Sequence, residues 1–204
     1  MPPKTRGENL KQRAIILASR SPRRASLLRA IGLKFKIVPS NFKEKARPGR
    51  SCASLVKYNA LMKAQQVAHR FKSGVIIGAD TVVLCKGRLI GKPKDFPDAL
   101  RILKTLTRHP HWVYTGLAII DLDRNKTICA YEKTRSFMRR LSEKEIKGYL
   151  ERVHSLDKAG ACNIEDLGGT LVRRIEGDFY NVVGLPLARL AQLLKTVGID
   201  VLAS

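Results

Sequence analysis

The stretch Val75-Ile76-Ile77-Gly78-Ala79-Asp80-Thr81 decides the fold of this chain and the place of its chemistry. The apolar run predicts a buried strand, and a carboxylate between small residues follows it directly. Because open α/β sheets bind ligands outside the carboxyl ends of strands, we expect Asp80 to face a ligand. The alternative is that Asp80 braces the following turn. A carboxylate at the mouth of an apolar strand requires a cation, and we expect either a divalent metal or Lys92, across the hairpin in Gly91-Lys92-Pro93.

A basic cluster, Ser19-Arg20-Ser21-Pro22-Arg23-Arg24, follows the first apolar segment of the chain. Unpaired backbone N–H groups at a helix start favour an anion, and arginine side chains offer forked donors to phosphate oxygens. The cluster is therefore either a phosphate-binding loop or a helix cap beside two solvated arginines. It is not a Walker A loop, because the sequence contains no G-x-x-x-x-G-K-[ST] motif. One carboxylate with separate cationic loops is what phosphate-ester chemistry requires.

The composition is that of a globular protein with a core. The chain has 204 residues, of which 44% are hydrophobic, and this suits one domain or two lobes around a cleft. We expect residues 1–13 to form a mobile basic extension and residues 14–204 to form the domain. No apolar run approaches the roughly 18 residues that span a bilayer, so we expect no membrane partner. The four cysteines lie far apart and include no C-x-x-C pair, which favours a reducing, cytoplasmic location.

The net charge of +22 indicates an affinity for polyanions. The lysines and arginines are spread along the whole chain rather than gathered into one block. The charge is therefore interpreted first as a solvated surface that helps to capture anionic substrates. A dedicated nucleic-acid site remains the alternative.

The alternation of apolar segments with turn and cap signals predicts an α/β fold. Ser21 and Pro22 predict the start of the first helix, and Ser142 with Glu145 forms a capping box for another helix that ends at Arg152. Further helices are predicted over Ser54 to Phe71, from Pro97 through Leu106, and after Pro186. The predicted strands are Ala14–Ala18, Phe35–Val38, Val75–Cys85, Arg88–Ile90, Val113–Leu122, Thr127–Phe137, Thr170–Ile175 and Phe179–Val183.

Two further charged residues are ambiguous when they are considered alone. Glu44 lies in a polar loop, and Lys63 lies on the predicted helix over Ser54 to Phe71. Each is interpreted as a surface residue or, less commonly, as part of a site. Catalysis by a Ser/His/Asp triad is not indicated, because the sequence contains no G-x-S-x-G elbow.

Taken together, the motifs of this chain resemble those of the Maf family of septum-formation-related nucleotide pyrophosphatases. The matching segments occur in the family's order and span roughly residues 14 to 195. They are Leu17-Ala18-Ser19-Arg20-Ser21-Pro22-Arg23-Arg24, Gly78-Ala79-Asp80-Thr81-Val82-Val83, Gly91-Lys92-Pro93, Asp157-Lys158-Ala159-Gly160-Ala161 and Val183-Gly184-Leu185-Pro186-Leu187.

The resemblance implies metal-dependent hydrolysis of a nucleoside triphosphate to its monophosphate and pyrophosphate, with Mg²⁺ or Mn²⁺. It implies an elongated mixed sheet with flanking helices and a deep central cleft, similar to the inosine-triphosphate pyrophosphatase architecture, and often a homodimer. By the same resemblance, Asp80 and Glu44 hold the metal, and Asp80, Glu44, Lys63 and Lys92 are the catalytic residues. The implied substrate-binding residues are Ser19, Ser21, Arg23, Arg24, Thr81, Lys158 and Glu165.

The substrate markers of the family point in two directions. Members that act on dTTP and UTP are similar to this chain at Arg23, at Thr81 and in the run from Asp157 to Ala161. They normally carry Ile-Gln where this chain has Ile164-Glu165, whereas members that act on 7-methyl-GTP carry a glutamate there. The resemblance therefore favours dTTP and UTP and keeps 7-methyl-GTP as an alternative. A non-catalytic nucleic-acid-binding protein on the same fold is the remaining alternative.

Overall fold

A computed structural model describes residues 13–44, 51–153 and 159–203, and it contains one mixed seven-stranded sheet. The sheet order is β2-β1-β3-β5-β6-β7, with β4 paired to β3 outside this path. β2 and β3 lie parallel to β1, and the other pairings are antiparallel. The strands are β1 (Ile15–Leu17), β2 (Lys36–Ile37), β3 (Val75–Cys85), β4 (Arg88–Ile90), β5 (His111–Asp121), β6 (Lys126–Met138) and β7 (Val172–Glu176).

The helices flank this sheet on both faces, which confirms the predicted α/β class. They are α1 (Pro22–Ala30), α2 (Cys52–Ala68), α3 (Phe96–Leu106), α4 (Glu143–Arg152), α5 (Phe179–Val183) and α6 (Leu187–Lys195), with two 3₁₀ turns at Ala159–Ala161 and Leu167–Leu171. Two predicted helix caps are confirmed. At the start of α1 the Ser21 side chain accepts from the Arg24 N–H, and at the start of α4 Ser142 and Glu145 form the capping box.

One predicted strand is wrong, because Phe179–Val183 forms helix α5. A short apolar run does not distinguish a buried strand from a buried helix by its pattern. The deciding signals lie on either side of it. The Asp178 side chain accepts from the Asn181 N–H at the start, and Gly184 ends the helix with a φ of 118°.

The position of Asp80 also differs from the prediction. β3 continues to Cys85, so Asp80 lies within the strand, opposite Gly116 of β5, rather than at its carboxyl end. The neighbouring parallel strand β1 does stop early, with Leu17 opposite Ile77. Asp80 is therefore beyond the carboxyl end of β1, at the point where the chain leaves the sheet toward Ser19.

Helix α2 packs unusually close to the sheet because two glycines lie beneath it. A Cβ atom on Gly116 would lie 2.2 Å from the Val56 carbonyl oxygen, and one on Gly78 would lie 2.3 Å from the Ala60 carbonyl oxygen. The next residues along α2, Asn59 and Lys63, are consequently brought down onto β3. This close approach positions the site described below.

Apolar clusters fill both ends of the sheet. At one end, Leu28 of α1 and Leu190 of α6 pack on one face, and Ala64 of α2 packs on the other. At the other end, Leu103 of α3 and Ile146 of α4 share a cluster with Val113. In the part of the chain that the structure describes, no helix is long and apolar enough to cross a membrane.

Of the predicted N-terminal extension over residues 1–13, the structure describes only Arg13, and residues 1–12 lie outside the described part. The Arg13 guanidinium is not detached from the domain. It forms ion pairs with Asp121 and Asp123 and donates to the Val197 carbonyl at 2.6 Å.

We expect Gly116→Ala to destabilise the protein, because the new methyl group would overlap backbone atoms of α2 rather than a flexible side chain. Overpacking of this kind typically lowers the free energy of unfolding by about 1–3 kcal/mol. Gly148→Ala is the matched control, since a Cβ atom at Gly148 of α4 meets nothing within 4 Å. That substitution should raise stability by about 0.5–1 kcal/mol. Urea unfolding of both variants measures the difference, and a Gly116→Ala protein as stable as its parent would contradict the close packing.

Candidate active site

A buried ion pair between β3 and α2 forms the centre of the candidate site. Asp80 is 3% exposed, and Lys63 and Asn59 of α2 are 8% and 1% exposed. The Lys63 ammonium donates to Asp80 Oδ1 at 2.7 Å, and the Asn59 amide donates to Asp80 Oδ2 at 2.9 Å. Both carboxylate oxygens are therefore held in fixed positions. Each oxygen has a second lone-pair direction, so the carboxylate can still bind a further partner.

Glu44 joins this pair from the loop that follows β2. Its Oε1 lies 2.5 Å from the Lys63 Nζ, so one ammonium group bridges two carboxylates. Partial burial raises the pKa of Glu44, but the positive charges of Lys63, Lys92 and Arg24 outweigh burial and lower that pKa overall. The structure thus brings together Asp80, Lys63 and Glu44, three of the residues singled out from the sequence.

The predicted partnership between Asp80 and Lys92 is wrong, because Lys63 occupies that role. The Lys92 side chain is exposed on the turn after β4 and contributes its charge near Glu44 instead. The Gly160 N–H donates to the Gly91 carbonyl at 3.2 Å, which joins this turn to the Ala159–Ala161 segment. Two motifs that lie far apart in sequence are consequently adjacent.

The Ser19–Arg24 loop, which joins β1 to the first turn of α1, faces the same point, and Arg24 is its best-anchored residue. Its guanidinium donates to the Gly184 carbonyl at 2.8 Å, the Ala79 carbonyl at 3.0 Å and the Ser19 hydroxyl at 3.3 Å. Burial lowers the pKa of Arg24, and the charges of Asp80 and Glu44 oppose that shift. Ser19 also accepts from the Ser21 N–H at 3.2 Å. The loop is therefore preorganised, with a cation held next to two acids.

Arg24 is also linked to the core through a chain of hydroxyl groups. It donates to the Thr81 hydroxyl at 2.9 Å, which lies 2.9 Å from the Thr115 hydroxyl, and Thr115 donates to the Asn181 carbonyl at 3.0 Å. Thr81 thus supports the arginine in this structure, and its predicted contact with substrate stays a prediction.

Arg23 points toward a separate part of the site. Its guanidinium lies 3.4 Å from the Asn163 side-chain oxygen, and its charge reaches Glu165. Burial raises the pKa of the Glu165 carboxyl, and the opposing effect of Arg23 does not cancel that increase. The two conflicting substrate markers therefore lie within electrostatic range of each other. Lys158 lies outside the described residues.

Sequence reasoning missed Asn59, Thr115 and Gly184. Asn59 lies four residues before Lys63, so both side chains project from one face of α2, and this spacing was available as a signal. Gly184 was quoted only as part of a motif, yet its carbonyl receives Arg24 and a Cβ atom there would lie 3.3 Å from the Thr81 hydroxyl. No local pattern identifies Thr115.

The charges of the site favour a polyanion that binds beside a carboxylate. Lys63 and Arg24 balance Asp80 and Glu44, and Lys92 and Arg23 add further positive charge. Among the described residues, no group of three or more His, Cys, Asp or Glu side chains could hold a metal. The arrangement can bind phosphate oxygens, orient a water molecule and offer two carboxylates to a cation.

Comparison with known proteins agrees with this geometry. A family model described as Maf-like protein matches residues 14–197. A dTTP/UTP pyrophosphatase of Dictyoglomus turgidum is 46% identical over 192 residues, which cover 94% of this chain and 100% of the relative. A dTTP/UTP pyrophosphatase of Methanosarcina barkeri is 42% identical over 190 residues, covering 93% and 96%. The Ham1 protein of Staphylococcus aureus shares the fold, with a TM-score of 0.51, 14% identity and coverage of 90% and 99%. The sequence motifs, the fold and the match along most of its length establish that this chain belongs to the Maf-like protein family.

Proposed function

We propose that this protein hydrolyses nucleoside triphosphates to the monophosphate and pyrophosphate. The observation that carries the proposal is the buried Lys63 ammonium, which lies 2.5 Å from Glu44 and 2.7 Å from Asp80. A polyanion-binding protein has no need to hold two acids at its positive centre, whereas phosphoryl chemistry requires them. The full-length similarity to dTTP/UTP pyrophosphatases supports the same activity.

The cationic residues bind and align the triphosphate. The Ser19–Arg24 loop lies at the N-terminal, positive end of α1, and Arg24 presents a fixed positive charge there. Lys92, exposed on its turn, reaches toward the same region and binds the charged oxygens of the leaving pyrophosphate. Catalysis then comes from alignment and from cations placed where negative charge develops in the transition state.

Asp80 orients the attacking water and accepts its proton. Lys63 and Asn59 each donate to one oxygen of the carboxylate and so fix its orientation. The Lys63 ammonium lies between Asp80 and Glu44, and its positive charge offsets the repulsion between the two acids. The position of the carboxylate is therefore set before substrate binds.

The donor set fits a magnesium or manganese ion that is shared with the substrate. Carboxylate oxygens are the ligands that Mg²⁺ prefers, and this ion is commonly held by one or two carboxylates together with substrate phosphates. Asp80 and Glu44 both contact the Lys63 ammonium, and the Glu44 side chain is 54% exposed, so it can turn toward an incoming ion. When bound, the metal neutralises phosphate charge and lowers the pKa of water.

The substrate class that we propose is dTTP and UTP, with modified bases as further candidates. Arg23 and Thr81 match the dTTP/UTP members, and Glu165 matches the 7-methyl-GTP members. An ionised glutamate accepts hydrogen bonds but cannot donate them, so Glu165 favours a base that presents N–H groups. Hydrolysis of 7-methyl-GTP is therefore the second candidate, and Glu165 is the observation that favours it.

The free state of all four cysteines supports a cytoplasmic location as a further proposal. A homodimer, implied by the family resemblance, stays a prediction.

We expect Asp80→Asn to abolish most of the pyrophosphate release while the protein stays folded. The amide is nearly isosteric but cannot serve as a base, and losing a base typically costs ~10²–10⁴ in rate. Glu44 remains as a counter-ion for Lys63, so the buried lysine is not left unpaired. Release of pyrophosphate from dTTP, measured with saturating Mg²⁺, tests this expectation.

Glu151→Gln, an acid-to-amide change on the exposed side of α4, is the control and should keep parental turnover. Near-parental turnover by a folded Asp80→Asn protein would contradict the assignment.

We expect Glu165→Gln to shift the substrate ranking toward dTTP and UTP. Glutamine both donates and accepts, as the carbonyl and N–H edge of a pyrimidine requires, and each recovered hydrogen bond contributes about 0.5–1.5 kcal/mol. The ratio of kcat/KM for dTTP to that for 7-methyl-GTP should rise by about 2- to 10-fold.

The raised pKa of Glu165 adds a pH test of the same idea. Because protonated glutamate also donates, the parent's preference for dTTP should increase as the pH falls toward that pKa, and the Gln variant should lack this change. If the parent and the Glu165→Gln variant rank dTTP, UTP and 7-methyl-GTP identically at every pH, Glu165 does not contact the base.

A further inference from the structure

One face of the sheet is only partly covered by α2. The helix lies over Gly78 and Gly116, and beyond its first turns the side chains on this face are exposed or half-buried. We call this open part the aromatic–basic face. Trp112 and Tyr114 of β5 lie there, opposite Arg135 and Lys133 of β6 in the strand register. The remaining members are Tyr131 and Phe137 of β6 and Arg174 of β7.

Cations and aromatic rings alternate across the aromatic–basic face. The Arg135 guanidinium lies between two rings, 5.6 Å from the centre of Trp112 and 5.0 Å from the centre of Phe137. Arg174 lies 4.5 Å from the same Phe137 ring, and the Lys133 ammonium lies 5.3 Å from Trp112. This packing holds the cations in place at low entropic cost.

A second aromatic pair extends the same face toward α2. The Tyr114 and Tyr131 rings are stacked with centres 6.5 Å apart and an angle of 26° between their planes. The Lys57 ammonium of α2 lies 5.8 Å from the Tyr131 ring. Tyr131 is 36% exposed, so part of its ring is open to solvent. Tyr131 is exposed, and Trp112, Tyr114 and Phe137 are half-buried, so the face presents part of its π surface together with its cations to solvent.

The charge of this face is positive after its acid is counted. Glu176 lies 2.7 Å from Arg174 and 4.0 Å from Arg135, so it offsets one of these cations. Lys133 and Lys57 add two more positive charges. Arg135 Nε is buried, and it has no hydrogen-bond partner in the described part of the chain.

We propose that the aromatic–basic face binds single-stranded nucleic acid. Bases of any sequence can stack on exposed aromatic rings, and lysine and arginine pair with the phosphates between them. A duplex is less suited, because its bases are already stacked and its grooves are read by helices or ribbons rather than by a flat face. A symmetric contact with a second copy through this face is less suited as well, because it would bring the lysines and arginines of the two copies together. This interaction is separate from nucleotide hydrolysis, since none of these side chains belongs to the Asp80 site.

The test uses fluorescence anisotropy of a labelled 12-nucleotide oligodeoxyadenylate with the full-length protein over a range of salt concentrations. Trp112→Ala should weaken binding by between about 5-fold and about 100-fold, because one stacking platform is lost. The double variant Lys133→Gln/Arg174→Gln should lower the slope of log K against log salt by about 1.4, since each phosphate contact with a single strand contributes about 0.7. Turnover of dTTP should not change in the double variant.

Lys34→Gln/Lys72→Gln is the charge-matched control, because both lysines are exposed and lie away from this face. It should leave the affinity and the salt slope close to those of the parent. Thermal unfolding of each variant separates lost binding from lost folding, and the double variant keeps the test valid if Trp112→Ala does not fold.

Four outcomes would overturn the proposal. In the first, the parent and both test variants bind the oligonucleotide equally well; in the second, the control variant loses as much affinity as the test variants. In the third, a duplex of the same length binds more tightly than the single strand. In the fourth, inorganic polyphosphate binds as tightly as the oligonucleotide, and Trp112→Ala does not weaken its binding. Light scattering supplies a fifth: a dimer that dissociates on Trp112→Ala, without binding the oligonucleotide, would assign this face to a second copy of the chain.

Discussion

The ammonium group of Lys63 is the constraint on which the rest of the site depends. A buried lysine is costly without a counter-ion, and two neighbouring carboxylates are costly without a cation. Lys63 forms ion pairs with both Asp80 and Glu44, so Lys63 and Asp80 can be buried together while the more exposed Glu44 adds a second counter-charge. The same contacts direct the two acids toward the cationic Ser19–Arg24 loop. The contacts that stabilise Lys63, Asp80 and Glu44 thus also leave these groups able to bind a cation and a polyphosphate.

The backbone prepares this arrangement before any side chain contributes. Gly78 and Gly116 let α2 approach the sheet closely enough for Lys63 to reach β3. The early end of β1 leaves the edge of β3 open beside Asp80, so the Ser19–Arg24 segment emerges there. Arg24 then joins this loop to β3 and to the segment after α5 through its contacts with Ala79 and Gly184. Changes far from the chemistry, such as a methyl group under α2, consequently act on the site.

Local signals in the sequence were sufficient for most of the elements, because caps, turns and periodicity depend on neighbouring residues. They failed where tertiary contacts decide. Lys92 was expected beside Asp80 because a hairpin joins them, but no sequence pattern reveals that α2 crosses β3 and delivers Lys63. The short apolar run Phe179–Val183 was likewise compatible with either strand or helix. The site residues followed from the resemblance to a family, and the structure adds the geometry that links Asp80, Lys63 and Glu44.

The most direct test of this account compares the free energies of unfolding of Lys63→Met and Asp80→Asn. Lys63→Met leaves the buried Asp80 and the exposed Glu44 without their shared cation, and breaking a buried pair such as Lys63–Asp80 costs about 3–5 kcal/mol. Asp80→Asn leaves Lys63 paired with Glu44, so its cost should be smaller, about 1–3 kcal/mol for imperfectly satisfied hydrogen bonds. Lys63→Met should therefore lower the free energy of unfolding more than Asp80→Asn does. An Asp80→Asn protein that is equally or more destabilised would contradict the claim that Lys63 organises the site.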